Sequence, residues 1–332
     1  MKINNEISLK VVPGSLQLLR MSDEEYFSDK YSDYISNSRL SLINPEEDGS
    51  IDKFKKGLES KYSSSLELGS SIHCMLLQPD EYEISDIRKP SGKLGVFAEN
   101  VYLYRKEGYS IEDSIKLASE KSDYYKDKLT SKRLKTAIKE SIEFYLNRLK
   151  VKESLDKSTI FLSKSMANIF DICISNIISN NEFMSTLYPK GIINNPEVYN
   201  EYAILGEIQV GDKIVKVKGK LDNFTIDHEQ KIITLNDVKS TGKPLSFFMG
   251  SEFNGIYIPG SFEKYRYYRQ LAMYLYLLNN CLNLEGYKYK ANILAIETIP
   301  EYNSGVFKIS DKWIKKGLEE FKNLLILVAY EC

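Results

Sequence analysis

The spacing of hydrophobic positions changes partway along the chain. Up to about residue 190, apolar residues fall at helical intervals. The segment Ser36-Asn37-Ser38-Arg39-Leu40-Ser41-Leu42-Ile43 sets a hydroxyl cap ahead of an apolar stripe and predicts a short helix ending at Pro45. The run ELGSSIHCMLL, residues 67–77, is small and apolar on one side and predicts a buried helix. Residues 111–190 are almost free of Gly and Pro, and stretches such as LKTAIKESIEFYLNRL predict two or more amphipathic helices.

Beyond Pro196 the pattern becomes that of strands. EIQV, KIVKVKGKLDNFTI and KIITLNDVKS alternate or cluster β-branched residues between the turn signals Gly211-Asp212 and Asp227-His228-Glu229, so an antiparallel meander is expected. A helix over about 263–280, a strand at ANILAIETI and a last amphipathic helix over about 311–330 follow. That order predicts an α/β (α+β) fold, a central mixed β-sheet flanked by helices.

The length of 332 residues suits one domain with insertions. We expect a single domain over 1–332, with an N-terminal extension over 1–23, a helical insertion over 92–190 and a catalytic sheet core over 197–310. With 42% hydrophobic and 27% charged residues, a sizeable core can be buried. The 45 Lys and Arg against 46 Asp and Glu exclude a protein that holds nucleic acid by bulk positive charge. Charge is nevertheless segregated: residues 115–157 hold 12 basic against 7 acidic residues, and residues 1–60 hold 8 against 11. The basic stretch reads either as a second DNA-facing surface or as a solvated helix face. Two histidines, His73 and His228, exclude a site of three imidazoles. Cys74, Cys173, Cys281 and Cys332 are far apart, which argues against a zinc ribbon and for reduced thiols in a cytoplasmic protein. The apolar runs are short and no signal peptide is legible, so neither membrane nor export is expected.

Candidate chemistry lies in the meander. Strand alternation puts Lys216, Lys218, Lys220 and Asp222 on one side of KVKGKLD, and Asp237 and Lys239 on one side of DVK. If the two strands pair through the turn near His228, Asp222 and Asp237 approach each other with Lys239 beside them. Two close carboxylates repel unless a cation joins them, and hard oxygen ligands suit Mg²⁺, with Mn²⁺ able to substitute. Taken alone, D-x-K on a strand is equally the pattern of a surface salt bridge. Ser240, Thr241 and Lys243 follow directly and offer hydroxyls, amides and an ammonium to a phosphate. Lys264, Arg266 and Arg269, interleaved with Tyr265, Tyr267 and Tyr268, mix cations and aromatics as strand-binding grooves do. Glu207 on the preceding strand is a further carboxylate to consider, Glu297 reads as structural, and His228 as solvent-facing.

The ordered set G-S-S-I-H (Gly69 to His73), K-L-D (Lys220 to Asp222), D-V-K (Asp237 to Lys239) and Q-L-A-M-Y (Gln270 to Tyr274) resembles RecB-type nucleases of the PD-(D/E)XK superfamily, most of all the RecE-like, exonuclease VIII type of phage and prophage. I-S-N-S-R-L (Ile35 to Leu40), LLQPDEYE (Leu76 to Glu83) and IETIPEY (Ile296 to Tyr302) add to the likeness, which runs from about Glu24 to the last helix. The resemblance implies that His73, Asp222, Asp237 and the Val238 carbonyl bind a divalent metal and that Lys239 is the catalytic lysine. It also implies that Gln270 and Tyr274 touch the nucleic-acid backbone from one helix face. The expected activity is a Mg²⁺-dependent 5′ to 3′ exonuclease on linear double-stranded DNA ends, making single strands for recombination. An endonuclease using the same site and an inactive DNA-binding protein are the alternatives. By the same resemblance a ring-shaped homo-oligomer, a single-strand annealing partner and the host cytoplasm of a phage are expected. Two departures stand out: the Asp222 to Asp237 gap suggests an extended turn, and Asn236, where an aliphatic residue is usual, suggests a loosened strand.

Overall fold

The computed structural model describes residues 8–57, 63–122, 157–332 and separate positions between 135 and 148. Elements with defined bounds begin with β1 (Leu9–Val11), β2 (Gln17–Arg20), α1 (Asp23–Tyr26), α2 (Asn37–Ser41) and α3 (Ile51–Lys56). Next come α4 (Ser64–Leu77), β3 (Tyr82–Ile84), α5 (Gly92–Lys106), α6 (Ile111–Ser122), β4 (Ser158–Ile160), α7 (Lys164–Ser179) and α8 (Asn181–Leu187). The strands β5 (Glu197–Val210), β6 (Lys213–Asp227), β7 (Ile232–Thr241), β8 (Ser251–Phe253) and β9 (Ile256–Ile258) follow. The chain ends with α9 (Ser261–Lys264), α10 (Tyr267–Leu282), β10 (Lys288–Glu297), β11 (Ser304–Lys308) and α11 (Asp311–Glu331).

The chain divides into two compact units. The first joins residues 1–61 to 176–332, and the second is the continuous stretch Tyr62–Ser175. The helical insertion therefore begins and ends earlier than the 92–190 expected. Within the stretch expected as an extension, β1 and β2 both pair antiparallel with β5 and complete one edge of the main sheet.

In the first unit a mixed seven-stranded sheet has the order β1-β5-β6-β7-β10-β11, with β2 also on β5. β5, β6 and β7 form the expected antiparallel meander, β10 is parallel to β7, and β11 is antiparallel to β10. α10 and α11 cover one face: Tyr268, Leu271, Met273 and Leu278 pack with Phe321, Leu324 and Leu325 over Ile233, Leu235, Ile293 and Ala295. The helix expected over 263–280 is broken between α9 and α10, because Arg266 is left-handed at φ 53. Its guanidinium bonds Glu46 at 2.6 Å and the Tyr268 hydroxyl, contacts that oppose the roughly 1–2 kcal/mol cost of that backbone.

In the second unit the short parallel pair β3–β4 accompanies the helices. Phe97 and Val101 of α5 pack with Ala118 of α6, and Lys89 is buried against Glu67 and Glu99. The lysine-rich stretch 115–157 lies largely outside the described residues. No helix among the described residues is long and apolar enough to cross a membrane.

Candidate functional site

The loop Gly211–Asp212 fixes the register of β5 on β6, from Val210↔Lys213 to Glu197↔Ile226. Continued without a slip, that register sets Glu201 opposite Asp222. On the next strand pair, Asp222 faces Asp237 one step beyond Asn223↔Asn236, where the paired ladder stops. The extended turn expected between the two aspartates is absent. Residues 228–231 close a short loop in which the Asp227 carboxylate accepts from the Glu229 and Gln230 amides at 3.0 and 2.9 Å, so the long gap is strand.

Both long strands are irregular at the acidic row. Glu201 is left-handed, φ 56, which a non-glycine residue rarely adopts. The β6 side chains that enter the main core change parity there: Phe224 and Ile226 on one side, Leu221, Val217 and Val215 on the other. Strict alternation could not send both sets into one core.

Around this irregularity the groups converge. Carboxylate oxygens of Glu201 and Asp222 lie within 4.8 Å of each other. The Val238 amide donates to Asp222 Oδ2 at 2.8 Å, and Lys239 Nζ lies 2.6 Å from Asp237 Oδ2, 3.9 Å from Asp222 Oδ2 and 3.4 Å from the Val238 carbonyl oxygen. Burial disfavours the Lys239 ammonium, yet Asp237 and then Asp222 outweigh it and hold its pKa above the ordinary lysine value. Gln270 and Tyr274 share one face of α10. Gln270 Nε2 donates to Asp237 Oδ1 at 3.2 Å and to the Tyr274 hydroxyl at 3.3 Å. The Tyr274 ring lies against Gly219, where a Cβ would come within 2.8 Å of Cε1. Burial, then Asp237 and Asp222, raise the Tyr274 pKa, so it remains a neutral phenol.

The donor set fits a hard divalent cation. Glu201, Asp222 and Asp237 supply carboxylate oxygens in a largely buried place, and the Val238 carbonyl adds a neutral oxygen. Carboxylates so placed repel one another, and the Lys239 ammonium stands between Asp222 and Asp237. His73 lies on α4, in the second unit.

Several side chains near the site serve the fold. Arg269 is fully buried; its Nε bonds Asn37 Oδ1 at 2.9 Å, its other nitrogens bond Glu320 and Ser41 at 2.8 Å each and also Glu47, so it pins α10 and cannot reach DNA. The lysines leading to Asp222 are engaged too. Lys216 meets Asp33 at 2.8 Å, Lys218 is buried and donates to the Tyr26 and Tyr31 carbonyls, and Lys220 binds Asp23 and, at 2.6 Å, Glu201. Thr241 is buried and caps its own turn by accepting from the Lys243 amide, whereas Ser240 and Lys243 are exposed. Glu297 anchors the Leu245 and Asn303 amides, a structural part. His228 is exposed between Tyr287 and Glu197.

Glu201 is the residue the sequence reading missed, having considered Glu207 instead. Glu207 pairs with Lys216, six residues up the strand. Counting back across the Gly211–Asp212 loop from Asp222 would have found Glu201, since partners across that loop have a fixed sum.

No family model matches the chain, and no curated protein matches it. Among solved structures, one of a candidate exonuclease from Eubacterium rectale is 12% identical, with 92% of this chain and 86% of that one covered and a TM-score of 0.47. A second is 18% identical over 50% of this chain and 66% of its own, with a TM-score of 0.25. A Vibrio cholerae protein is 12% identical over 80% and 56%, with a TM-score of 0.18. At these values the chemistry has to be read from the site itself.

Proposed function

We propose that the protein is a divalent-metal-dependent deoxyribonuclease of the PD-(D/E)XK type, acting 5′ to 3′ on linear double-stranded DNA ends. The observation that carries this reading is the meeting of Glu201, Asp222 and Asp237–Val238–Lys239 at one irregular point of the sheet. Asp222, Asp237 and the Val238 carbonyl would hold Mg²⁺ or Mn²⁺, with Glu201 as a further carboxylate. His73 joins this proposal through the G-S-S-I-H resemblance. The ion, when bound, polarises a phosphoryl oxygen and lowers the pKa of a water.

The chain's own groups do the rest. Lys239 Nζ positions the attacking water and offsets charge developing on the phosphate. Gln270 orients Asp237 through its Oδ1. The Tyr274 hydroxyl donates as a neutral phenol, and Ser240 and Lys243, exposed just past the reacting strand, hold the DNA backbone. Polarity, a ring-shaped homo-oligomer and an annealing protein as partner follow the family resemblance and belong to the same proposal.

The test is digestion of end-labelled linear duplex, with and without a 5′ phosphate, beside closed circular DNA, in Mg²⁺ and in chelator. Labels should leave from the 5′ end of linear DNA only, and Asp237→Asn should stop it. Cutting of the circle would make the protein an endonuclease. Metal-independent digestion, or full digestion by Asp237→Asn, would overturn the assignment.

A further inference from the structure

One row behind the carboxylates, four asparagines stand side by side on four adjacent strands. Asn200 of β5 pairs with Asn223 of β6, Asn223 with Asn236 of β7, and Asn236 with Asn292 of β10. Their amides form one directed chain. Asn292 Nδ2 donates to Asn236 Oδ1 at 2.9 Å, Asn236 Nδ2 to Asn223 Oδ1 at 2.7 Å, and Asn223 Nδ2 to Asn200 Oδ1 at 2.7 Å. Asn200 Nδ2 then donates to the Tyr188 hydroxyl at 3.1 Å.

The direction is dictated by α8. Its last carbonyls, left without helical partners, can only accept, and they take Asn236 Nδ2 at Thr186 (3.1 Å) and Asn223 Nδ2 at Leu187 (3.3 Å). Each amide therefore turns its NH₂ to the helix and its neighbour, leaving Oδ1 for the next asparagine. Asn223 and Asn236 are completely buried. Asn236 and Asn292 alternate with Leu235, Asp237 and Ile293, so the row lies on the sheet face opposite the α10–α11 core.

We infer that Asn200, Asn223, Asn236 and Asn292 are positioning residues that lock the strand register at which Asp222 meets Asp237 and Val238; the inference rests on the metal-dependent reading above. A row of like amides has only one satisfied alignment. Slipping β6 by one residue would leave Asn223 and Asn236 without each other and the α8 carbonyls without donors, and would move Asp222 away from Asp237. The lock is needed because the parity change beside it removes the usual apolar alternation that sets register. Asn236 thus tightens the strand it was expected to loosen.

The variants Asn236→Val and Asn292→Val keep a β-compatible side chain and break the chain of amides at its middle and its end. Two readouts decide: exchange of the Val238 amide, which donates to Asp222, relative to amides of α11, and the affinity for Mn²⁺ by calorimetric titration. Asn236→Val should speed Val238 exchange relative to α11 by about tenfold and weaken Mn²⁺ binding by about 10- to 100-fold, as loss of outer-shell support does. Asn292→Val should do the same less strongly, and it decides the matter if Asn236→Val does not fold. Leu325→Ala, a cavity in the α11 core, should speed the α11 amides rather than Val238 and leave the Mn²⁺ affinity unchanged. Wild-type Val238 exchange in a folded row variant, or equal shifts in Leu325→Ala, would reduce the row to ordinary packing. Should the wild type bind no Mn²⁺, the metal reading fails while Val238 exchange still decides the row.

Discussion

Adjacent residues of α10 serve two buried ionic clusters of opposite character. Arg269 lies between Glu47 and Glu320, and two further donors are taken by Asn37 and Ser41. Gln270 reaches instead to Asp237, where Lys239 is close to one carboxylate and distant from another. A planar guanidinium with four of its five N–H donors fixed has no cheap rearrangement. A lysine ammonium is a mobile point charge, which the proposed metal would free by taking over its carboxylates. The count of ion pairs does not separate structure from chemistry here. Whether the cation is saturated does.

The largest expected effect is on the saturated cluster. Arg269→Met leaves half-buried Glu47 and Glu320 without their main partner and should cost about 3 kcal/mol in urea unfolding. A pH arm sharpens it. Burial alone would raise the Glu47 carboxyl, but Arg269 brings it below the ordinary glutamate value. Its folded pKa lies under its unfolded one, so its contribution is present above the ordinary value and is lost as pH falls through the depressed one. Acid destabilisation should therefore be shallower in Arg269→Met than in the wild type. Equal acid slopes would remove Glu47 from the account.

The second effect is on rate. Lys239→Met should cut Mg²⁺-dependent hydrolysis about 10²- to 10³-fold in single-turnover assays, with the fold retained, and Lys239→Arg should not restore it. A variant that unfolds like Arg269→Met, with its rate per folded molecule intact, would invert the comparison.

Third comes metal linkage. Mn²⁺ at a hundred times its dissociation constant should stabilise the wild type by about 2.7 kcal/mol, read by thermal unfolding. Asp222→Asn should lose most of that gain, whereas Glu207→Gln, at a carboxylate facing Lys216 on the strand, should keep it.

How far these clusters were legible follows from sequence distance. The hairpins closed by Gly211–Asp212 and the 228 turn are local, so alternation and turn chemistry suffice to bring Asp222 to Asp237, and register arithmetic would have added Glu201. Arg269 could not be read. Its partners Asn37, Ser41, Glu47 and Glu320 come from both ends of the chain, and a basic residue among tyrosines looks the same buried or exposed. The edge strands were hidden for a different reason: LKV and QLLR are too short to show a period. The asparagine row was invisible because each amide taken singly is a turn signal, and only the paired register turns four of them into a ladder.

The smallest effect tests which lysines face DNA. Lys216, Lys218 and Lys220 carry the densest run of charge near the site, yet each is held by the chain's own N-terminal segment. Lys243 is exposed just after β7. Because each neutralised phosphate releases condensed counterions, Lys243→Ala should lower the slope of log affinity against log salt by about 1, with a few-fold weaker binding that is uniform across sequences. Lys218→Met, by contrast, should leave the slope unchanged and show its cost in stability, since its ammonium serves the Tyr26 and Tyr31 carbonyls. If the slopes respond the other way round, the DNA path runs along the N-terminal side of β6, and the lysines assigned here to the fold belong to the substrate.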